Sequence, residues 1–514
     1  MKEKLSILVV LLGIFSNSNA QLPAYPFPQH VTYTAGTIKP NYLTITQLDN
    51  QVKSFYDTWK SLYLKQGCDQ NSYYIQFTTG NDICVSEGQG FGMVIVAYMA
   101  GYDADAKTYY DGLYKWYKDH PSGVNPVLMC WKQGAQGCAS IGFDAATDGD
   151  LDIAYSLLLA DKQWGSDGAI NYLQEAINQI AAIKQSERFA EVNSMQLGDW
   201  ANGLEGYEDA SRACDFMLDH FRSFKSATND VVWNKVLNKS YGLVRNMQTN
   251  YSPSTGLLPD FIEDVDDNPR PAAPNFLEGP NDGSYSYNAC RAPWRIANDY
   301  LLHGDTRSKR ACNKINKWLR TTTGDNVDNI RSGYKLDGTN IQGNNYQDLS
   351  FIAPFTVSAC VNSNNQQWLN NLWQNKIVVS SINEGYFPNT IKMYCMILIS
   401  GNYWKPESFL GLPENNTGII ADTKSNIETS PNEMVIFPNP ADDRCSFQLM
   451  IHESSTINIS VINQLQQVVM EKNYSTQPVG KCNIELDISN LSKGLYTIRT
   501  KTDHKITTQK LVKK

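Results

Sequence analysis

Histidine is scarce in this chain: six in 514 residues, at positions 30, 120, 220, 303, 452 and 504. None sits in a recognisable metal-ligand or nucleophile–base motif, which argues against histidine-centred catalysis. No C-x-x-C occurs, which argues against a zinc site, and no cofactor is expected. After the first twenty residues there is no apolar run long enough to cross a membrane. Basic charge is also in short supply. The formal net charge is −8. From Met434 to Lys514 there are ten Lys/Arg and seven Asp/Glu, net +3, which leaves −11 for everything before. An acidic body argues against nucleic acid as a partner and permits a neutral or cationic substrate.

What is present begins with "MKEKLSILVVLLGIFSNSNA". Two lysines, a short apolar core and a small-residue site ending at Ala20 predict a signal peptide over 1–20, with the mature chain starting near Gln21. Export permits disulfides. Of eleven cysteines the pairs Cys130/Cys138 and Cys445/Cys482 are the first expected, and the odd count leaves at least one thiol unpaired.

The body from 44 to 402 reads mostly as helix. In "ITQLDNQVKSFYDTWKSLYL" the residues Leu48, Val52, Phe55, Trp59 and Leu62 fall on one stripe at helical period. The same test finds about twelve helices, starting near residues 46, 88, 106, 149, 166, 207, 229, 288, 305, 353, 363 and 385. Tight connections ("GYDADAK", "WGSDG", "HGDTRSK") alternate with long ones at 120–148, 185–206, 250–287 and 323–352. Tight turns join antiparallel neighbours, so the long connections belong at one end of the assembly. That rhythm predicts an all-α (α/α)6 barrel over 21–412, with an irregular helical array as the alternative. A polar stretch at 413–433 reads as a linker, and 434–514 alternates apolar and polar residues in short runs, as a small all-β sandwich does.

Reactive groups are expected on the long-loop face. In "CVSEGQGFGM" Glu87 opens a helix among Gly88, Gly90 and Gly92. Ser86 and Gln89 predict a capping box. Three glycines weaken a helix start by roughly 1 kcal/mol each, which makes sense if a bulky ligand lies against the backbone. A general acid must hold its proton near neutral pH, and the helix dipole works against that. A second carboxylate nearby would restore it, and Asp148 of "ATDGDLDIA" is the candidate. Thr147 or Asp148 capping its helix is the plainer alternative. The D-x-D-x-D of Asp148, Asp150 and Asp152 has the spacing of a calcium loop, but it lacks the later glycine and the twelfth-position glutamate. The 250–287 loop sets Glu278 and Asp282 among Phe276, Tyr285 and Tyr287, while Trp131 and Trp200 fall on other long loops. Carboxylates with aromatic platforms, without histidine or metal motifs, point to glycosidic-bond hydrolysis.

The stretches "SEGQGFGM", "ATDGDLDIA", "LGDWA", "YNACRAPWRIANDYLLHGD" and "NTIKMYCMILISGNYW" resemble glycoside hydrolase family 8, an inverting family on an (α/α)6 barrel. The resemblance implies Glu87 as general acid and Asp148 as the residue that binds and distorts the sugar. Asn288 stands where the cellulase-type branch has its aspartate base, and an amide cannot take a proton from water. A second branch, with chitosanases, lichenases and some glucanases, carries asparagine there and its base in the preceding loop. "FLEG" matches it, implying Glu278, with Asp282 as local rival. Trp131, Trp200, Tyr287, Asn288 and Arg291 would contact substrate. The tail stretches "VIFPNPADD", "ISNLSKGLYTIRT" and "KLVKK" resemble the sorting domain of type IX secretion substrates, with a carbohydrate-binding module as alternative. The chain is thus expected to be a secreted or cell-surface endo-β-1,4-glycanase on cellulose- or lichenan-type β-glucan, with chitosan as the runner-up. A polysaccharide lyase or a non-catalytic glycan-binding protein is further off.

Overall fold

The computed structural model describes residues 22–379, 384–406, 436–437, 441–451, 454–463, 468–477, 480–502 and 506–513. The expected signal peptide and linker lie outside the described residues. The chain divides into two compact units, Met1–Leu412 and Pro413–Lys514.

Among the described residues the first unit has twelve α-helices: α1 (Ile45–Tyr63), α2 (Ser86–Met99), α3 (Ala106–Asp119), α4 (Thr147–Trp164), α5 (Tyr172–Ser186), α6 (Leu218–Thr228), α7 (Val232–Asn246), α8 (Ala292–His303), α9 (Thr306–Thr323), α10 (Leu349–Ala359), α11 (Gln366–Leu372) and α12 (Tyr386–Ser400). The even-numbered helices pack α2–α4–α6–α8–α10–α12 and back to α2, a closed inner ring. Each odd-numbered helix lies outside against an even one. This is the (α/α)6 barrel. Its two layers follow from composition. Outer helices such as α1 bury one stripe (Leu48, Val52, Tyr56, Trp59), whereas α2 and α10 are buried on every side, as helices surrounded by others must be.

From α2 to α12 every inner helix follows a long connection and every outer helix a short one, so the inner N-termini share one end. The sixth helix starts at Leu218 rather than near 207. Residues Tyr207 to Ala210 instead turn into a small apolar cluster with Trp200, Phe261 and Phe276, and Ser211–Arg212 pairs as a strand with Phe261–Glu263.

The glycines of α2 have a packing explanation. A Cβ at Gly90 would sit 2.8 Å from the Gly149 carbonyl oxygen and 2.8 Å from Asp152 Cβ, and one at Gly149 would sit 2.6 Å from the Ser86 backbone. Glycine on both helices lets α2 and α4 touch backbone to backbone. Gly92 makes the same allowance for Ile75 and Gly88 for Tyr386. The glycines therefore admit protein, and the expectation that they make room for a ligand is corrected. The capping box at Ser86/Gln89 is corrected too. The N-cap is Val85, without a side-chain cap, because the Gln89 amide is used elsewhere: it accepts from Ile75 N and donates to Tyr73 O and Leu113 O. At the start of α4 the N-cap is Ala146, again without a side-chain cap, so Thr147 and Asp148 do not fill that role.

In the second unit, antiparallel strands form two sheets. One orders Ile436–Phe437, Arg444–Ile451 and Gly480–Asp487; the other orders Val468–Gln477, Ser455–Ile462, Gly494–Thr502 and Ile506–Lys513. Phe447, Ile484 and Leu486 of the first share an apolar cluster with Ile457, Ile459, Val461 and Ile498 of the second.

The disulfide is Cys68–Cys138, not Cys130–Cys138. Cys130 is a buried free thiol, whereas Cys138 ends an exposed 3-10 turn that reaches the loop carrying Cys68. Cys445 is also free, because the strand register sets it opposite Leu486 and sets Cys482 opposite Leu449. The bridge closes a 70-residue interval that includes the acid-bearing α2. Replacing both Cys68 and Cys138 by Ser should cost about 2–4 kcal/mol in a urea unfolding titration. An unchanged midpoint and slope would mean that the bridge constrains nothing in the unfolded chain.

Candidate active site

A cavity of about 380 Å³ opens at the end where the inner helices begin. Its lining includes Glu87, Trp131, Asp148, Glu278, Tyr287, Asn288 and Arg291, residues far apart in the sequence. Trp200 is not among the lining side chains. It packs at 5.3 Å from Tyr207, which in turn packs at 5.1 Å from Phe276, and so belongs to the cluster that supports the Glu278 loop.

One guanidinium joins the charged groups. Arg291, 3% exposed, donates from Nη1 to Glu87 Oε1 and to Asp148 Oδ2 (2.8 Å), and from Nη2 to Asn288 Oδ1 (2.8 Å). Asn288 then donates from Nδ2 to Glu278 Oε2 (2.8 Å). An amide is suited to this position because its oxygen meets the arginine and its nitrogen the carboxylate, and it does not titrate. The turn that carries Tyr287 and Asn288 is pinned by buried Asp260, whose Oδ1 accepts from the amides of Ser286, Asn288 and Ala289.

The two carboxyls on Arg291 are driven apart. Burial raises the Glu87 carboxyl; Arg291 pulls it down, the Asp148 charge raises it again, and the result is about 7. For Asp148 burial also raises, but Arg212 and Arg291 outweigh it and hold the carboxyl below its usual range. Asp148 is 4% exposed, with Arg212 Nη1 at 3.8 Å. The second carboxylate that the sequence suggested for Glu87 is therefore present, although burial is the larger cause. Below the Glu87 value of about 7 this gives a protonated carboxyl beside a fixed anion.

Glu278 is exposed, at the tip of a turn. Asp282, its local rival, is 3% exposed and fully engaged: its carboxylate accepts from the amides of Leu277 (2.8 Å), Glu278 (3.0 Å) and Gly279 (3.0 Å). The geometry makes Asp282 the clamp of the Glu278 turn.

Aromatic rings border the cavity. Trp131 is 38% exposed and carries Lys132 Nζ 4.7 Å from its ring centroid. The Tyr287 hydroxyl meets Tyr346 Oη (2.7 Å) and Asp348 Oδ2 (3.2 Å).

Sequence reasoning missed Arg212, Phe77 and Phe387, which also line the cavity. Arg212 sits in the two-residue strand Ser211–Arg212, which the pattern read as helix, and nothing in its neighbourhood marks it. Phe387 is the second residue of α12 and lies 5.7 Å from the Arg291 guanidinium.

The three spaced aspartates separate. Asp148 faces the cavity. Asp150 accepts from Met129 N and Gln179 Nε2, and Asp152 accepts from Arg295 and from His220 Nε2 (2.9 Å) inside the barrel. Ligand atoms of Asp148, Cys214 and Asp215 lie within 4.8 Å of one another. Two arginines already neutralise that group, so a metal ion would be repelled there.

The family model described as "Glycosyl hydrolases family 8" matches residues 37–401, and one described as "Secretion system C-terminal sorting domain" matches residues 435–514. A β-glucanase of Niallia circulans is 48% identical over 382 residues, covering 74% of this chain and 92% of that protein. An endoglucanase of Bacillus sp. (strain KSM-330) is 42% identical over 390 residues, covering 74% and 82%. The solved apo structure of a β-1,3-1,4-glucanase from Paenibacillus sp. X4 superposes with a TM-score of 0.72 at 49% identity, over 74% of this chain and all of that one. A cold-adapted family 8 xylanase, 20% identical with a TM-score of 0.60, shares the fold.

The raised carboxyls fix the sign of the pH dependence. Glu87 (about 7), Asp215 (about 7) and Asp260 (about 8) are each raised chiefly by burial, from ordinary values of 4.5, 3.8 and 3.8. Stability from these groups is complete below their unfolded values and is lost as pH rises through the folded ones. Thermal melts should therefore fall between about pH 5 and 8, and Glu87→Gln should flatten part of that slope. A melting temperature that rises across this window would contradict the assignment.

Proposed function

The chain belongs to glycosyl hydrolase family 8, and on that premise we propose that it is a secreted, inverting endo-β-1,4-glycanase that cuts a neutral β-glucan of the cellulose or lichenan type. The observation that carries the reading is the Glu87–Arg291–Asn288–Glu278 chain of contacts, with one carboxyl raised by burial to about 7 and the other in solvent reach. Glu87 is the general acid: its proton passes to the glycosidic oxygen as the bond from that oxygen to C1 breaks. A water on the opposite ring face attacks C1 and gives its proton to Glu278, inverting the centre. Asp148, kept ionised by Arg212 and Arg291, receives hydroxyls of the sugar at the cleavage point and favours positive charge developing on its ring. Trp131 and Tyr287 give the sugar faces apolar surface, and Asn288 and Arg291 hold both carboxylates in register.

The charge balance supports a neutral substrate. With Glu87 protonated, Asp148 and Glu278 are matched by Arg212 and Arg291 at the cavity wall. A cationic glucosamine would meet two arginines with no surplus of acid, which disfavours chitosan. The names of the relatives, a β-glucanase and an endoglucanase, point the same way.

The chain is exported. The sorting domain carries it to the type IX secretion machinery, and it acts outside the cell or at its surface. The proposed division is a signal peptide at 1–20, the catalytic barrel at 21–412, a linker at 413–433 and a β-sandwich sorting domain at 434–514.

Purified protein should release sugar from carboxymethylcellulose or lichenan and leave chitosan intact. Glu87→Gln and Glu278→Gln should each lose about 10²–10⁴ in kcat. Asp282→Asn, which loosens the turn but spares the base, should lose only about tenfold. Preferential release from chitosan would exchange the substrate. An inactive Asp282→Asn beside an active Glu278→Gln would exchange the base.

A further inference from the structure

Tyr386 is an aromatic side chain whose polar tip has no partner among the described residues. It is the first residue of α12, 6% exposed, and its hydroxyl is buried without a hydrogen-bond partner among the described residues. A buried hydroxyl in that condition costs about 1–3 kcal/mol, so its retention calls for a reason. The ring is fixed from two sides: Phe77 packs edge-on at 5.4 Å and Tyr63 edge-on at 6.1 Å. Turning away would break both contacts. The hydroxyl lies against Gly88, the residue after Glu87, in the space a Cβ would occupy. The charges that act on it include those of Glu87, Arg291 and Asp148. The hydroxyl thus lies beside the backbone of the residue next to Glu87. It is not among the side chains that line the cavity.

We propose that Tyr386 is a positioning residue for the general acid, its phenol held ready to donate a hydrogen bond to the Glu87 carboxylate that forms during turnover. The inference rests on the reading of Glu87 as the acid. When the Glu87 O–H bond breaks and its proton goes to the departing glycosidic oxygen, a negative charge appears in a buried place. Arg291 is already shared between Glu87, Asp148 and Asn288. The phenol supplies a donor free of other commitments. It keeps its own proton throughout, because burial and the neighbouring carboxylates raise it well above its usual value. Its action is on the ionised form alone: it lowers the Glu87 pKa and stabilises the product of proton transfer. Gly88 is glycine so that the hydroxyl can come this close.

The test is Tyr386→Phe, which removes one oxygen and leaves the ring. The variant should lose about 10- to 100-fold in kcat, with KM little changed because the cavity wall is intact. The alkaline limb of kcat/KM should move to higher pH. Titration of the Glu87 carboxyl, followed by ¹³C NMR of δ-carbon-labelled glutamate and assigned with Glu87→Gln, should move up with it. The NMR arm needs no substrate, so it reads this inference even if the wild type cuts no glucan, the result that would sink the functional reading instead. Thermal stability should stay equal or rise, since a buried unpartnered hydroxyl is gone. Gly88→Ala, which pushes the hydroxyl aside, should reproduce the shift of the limb with Tyr386 in place. A Glu87 titration and an alkaline limb that stay where the wild type has them overturn the proposal, whatever happens to kcat.

Discussion

The Arg291 guanidinium is the contact on which the site depends. Its two terminal nitrogens reach Glu87, Asp148 and Asn288, and through Asn288 the Glu278 carboxylate. Such a hub works only if the helices that bring these residues cannot slide. One helical turn along, Arg295 of α8 binds Asp152 of α4, so the Arg291–Asp148 contact is the upper of two rungs between the same pair of chain segments. The lower rung is wholly buried, and His220 sits against Asp152 and against Asp219 at 3.1 Å. Four residues separate the rungs on each helix, the spacing that returns a side chain to the same face. A shift of either helix would break both at once.

Closing six inner helices in parallel has an electrostatic consequence. Their N-termini gather at one end, and each contributes partial positive charge there. Asp148 gains from this, and with Arg212 and Arg291 it stays ionised. Glu87, one residue into α2, would be pushed the wrong way for an acid. Burial reverses the effect, the Glu87 side chain being only 15% exposed where it meets the cavity. The glycines act on the barrel itself, by allowing α2 and α4 to touch.

The alternation of tight and long connections made the two-layer barrel legible before any coordinates, because loop length alone separates antiparallel neighbours from the site-bearing end. The outer helices were readable from their apolar stripes and the inner ones from unbroken apolar runs. Glu87, Asp148 and Glu278 stood out through local anomalies: acids at helix starts or in an aromatic loop. What escaped were facts of distance. Cys138 finds Cys68, 70 residues away, rather than its near neighbour Cys130. Gln89 leaves its cap to bind three backbone groups brought by other segments, and Trp200 turns inward to a cluster completed by Phe276. Arg212 carries no local signal, since its role comes from facing Asp148 across the fold.

One arginine serves two carboxyls driven toward opposite protonation states, Glu87 raised and Asp148 lowered. A neutron structure of the ligand-free enzyme, crystallised about one to two units below the Glu87 value of about 7, would read this directly. The expected result is a deuteron on the Glu87 carboxyl, a bare Asp148 and a fully deuterated Arg291 between them. A deuteron on Asp148, or two bare carboxylates, would contradict it.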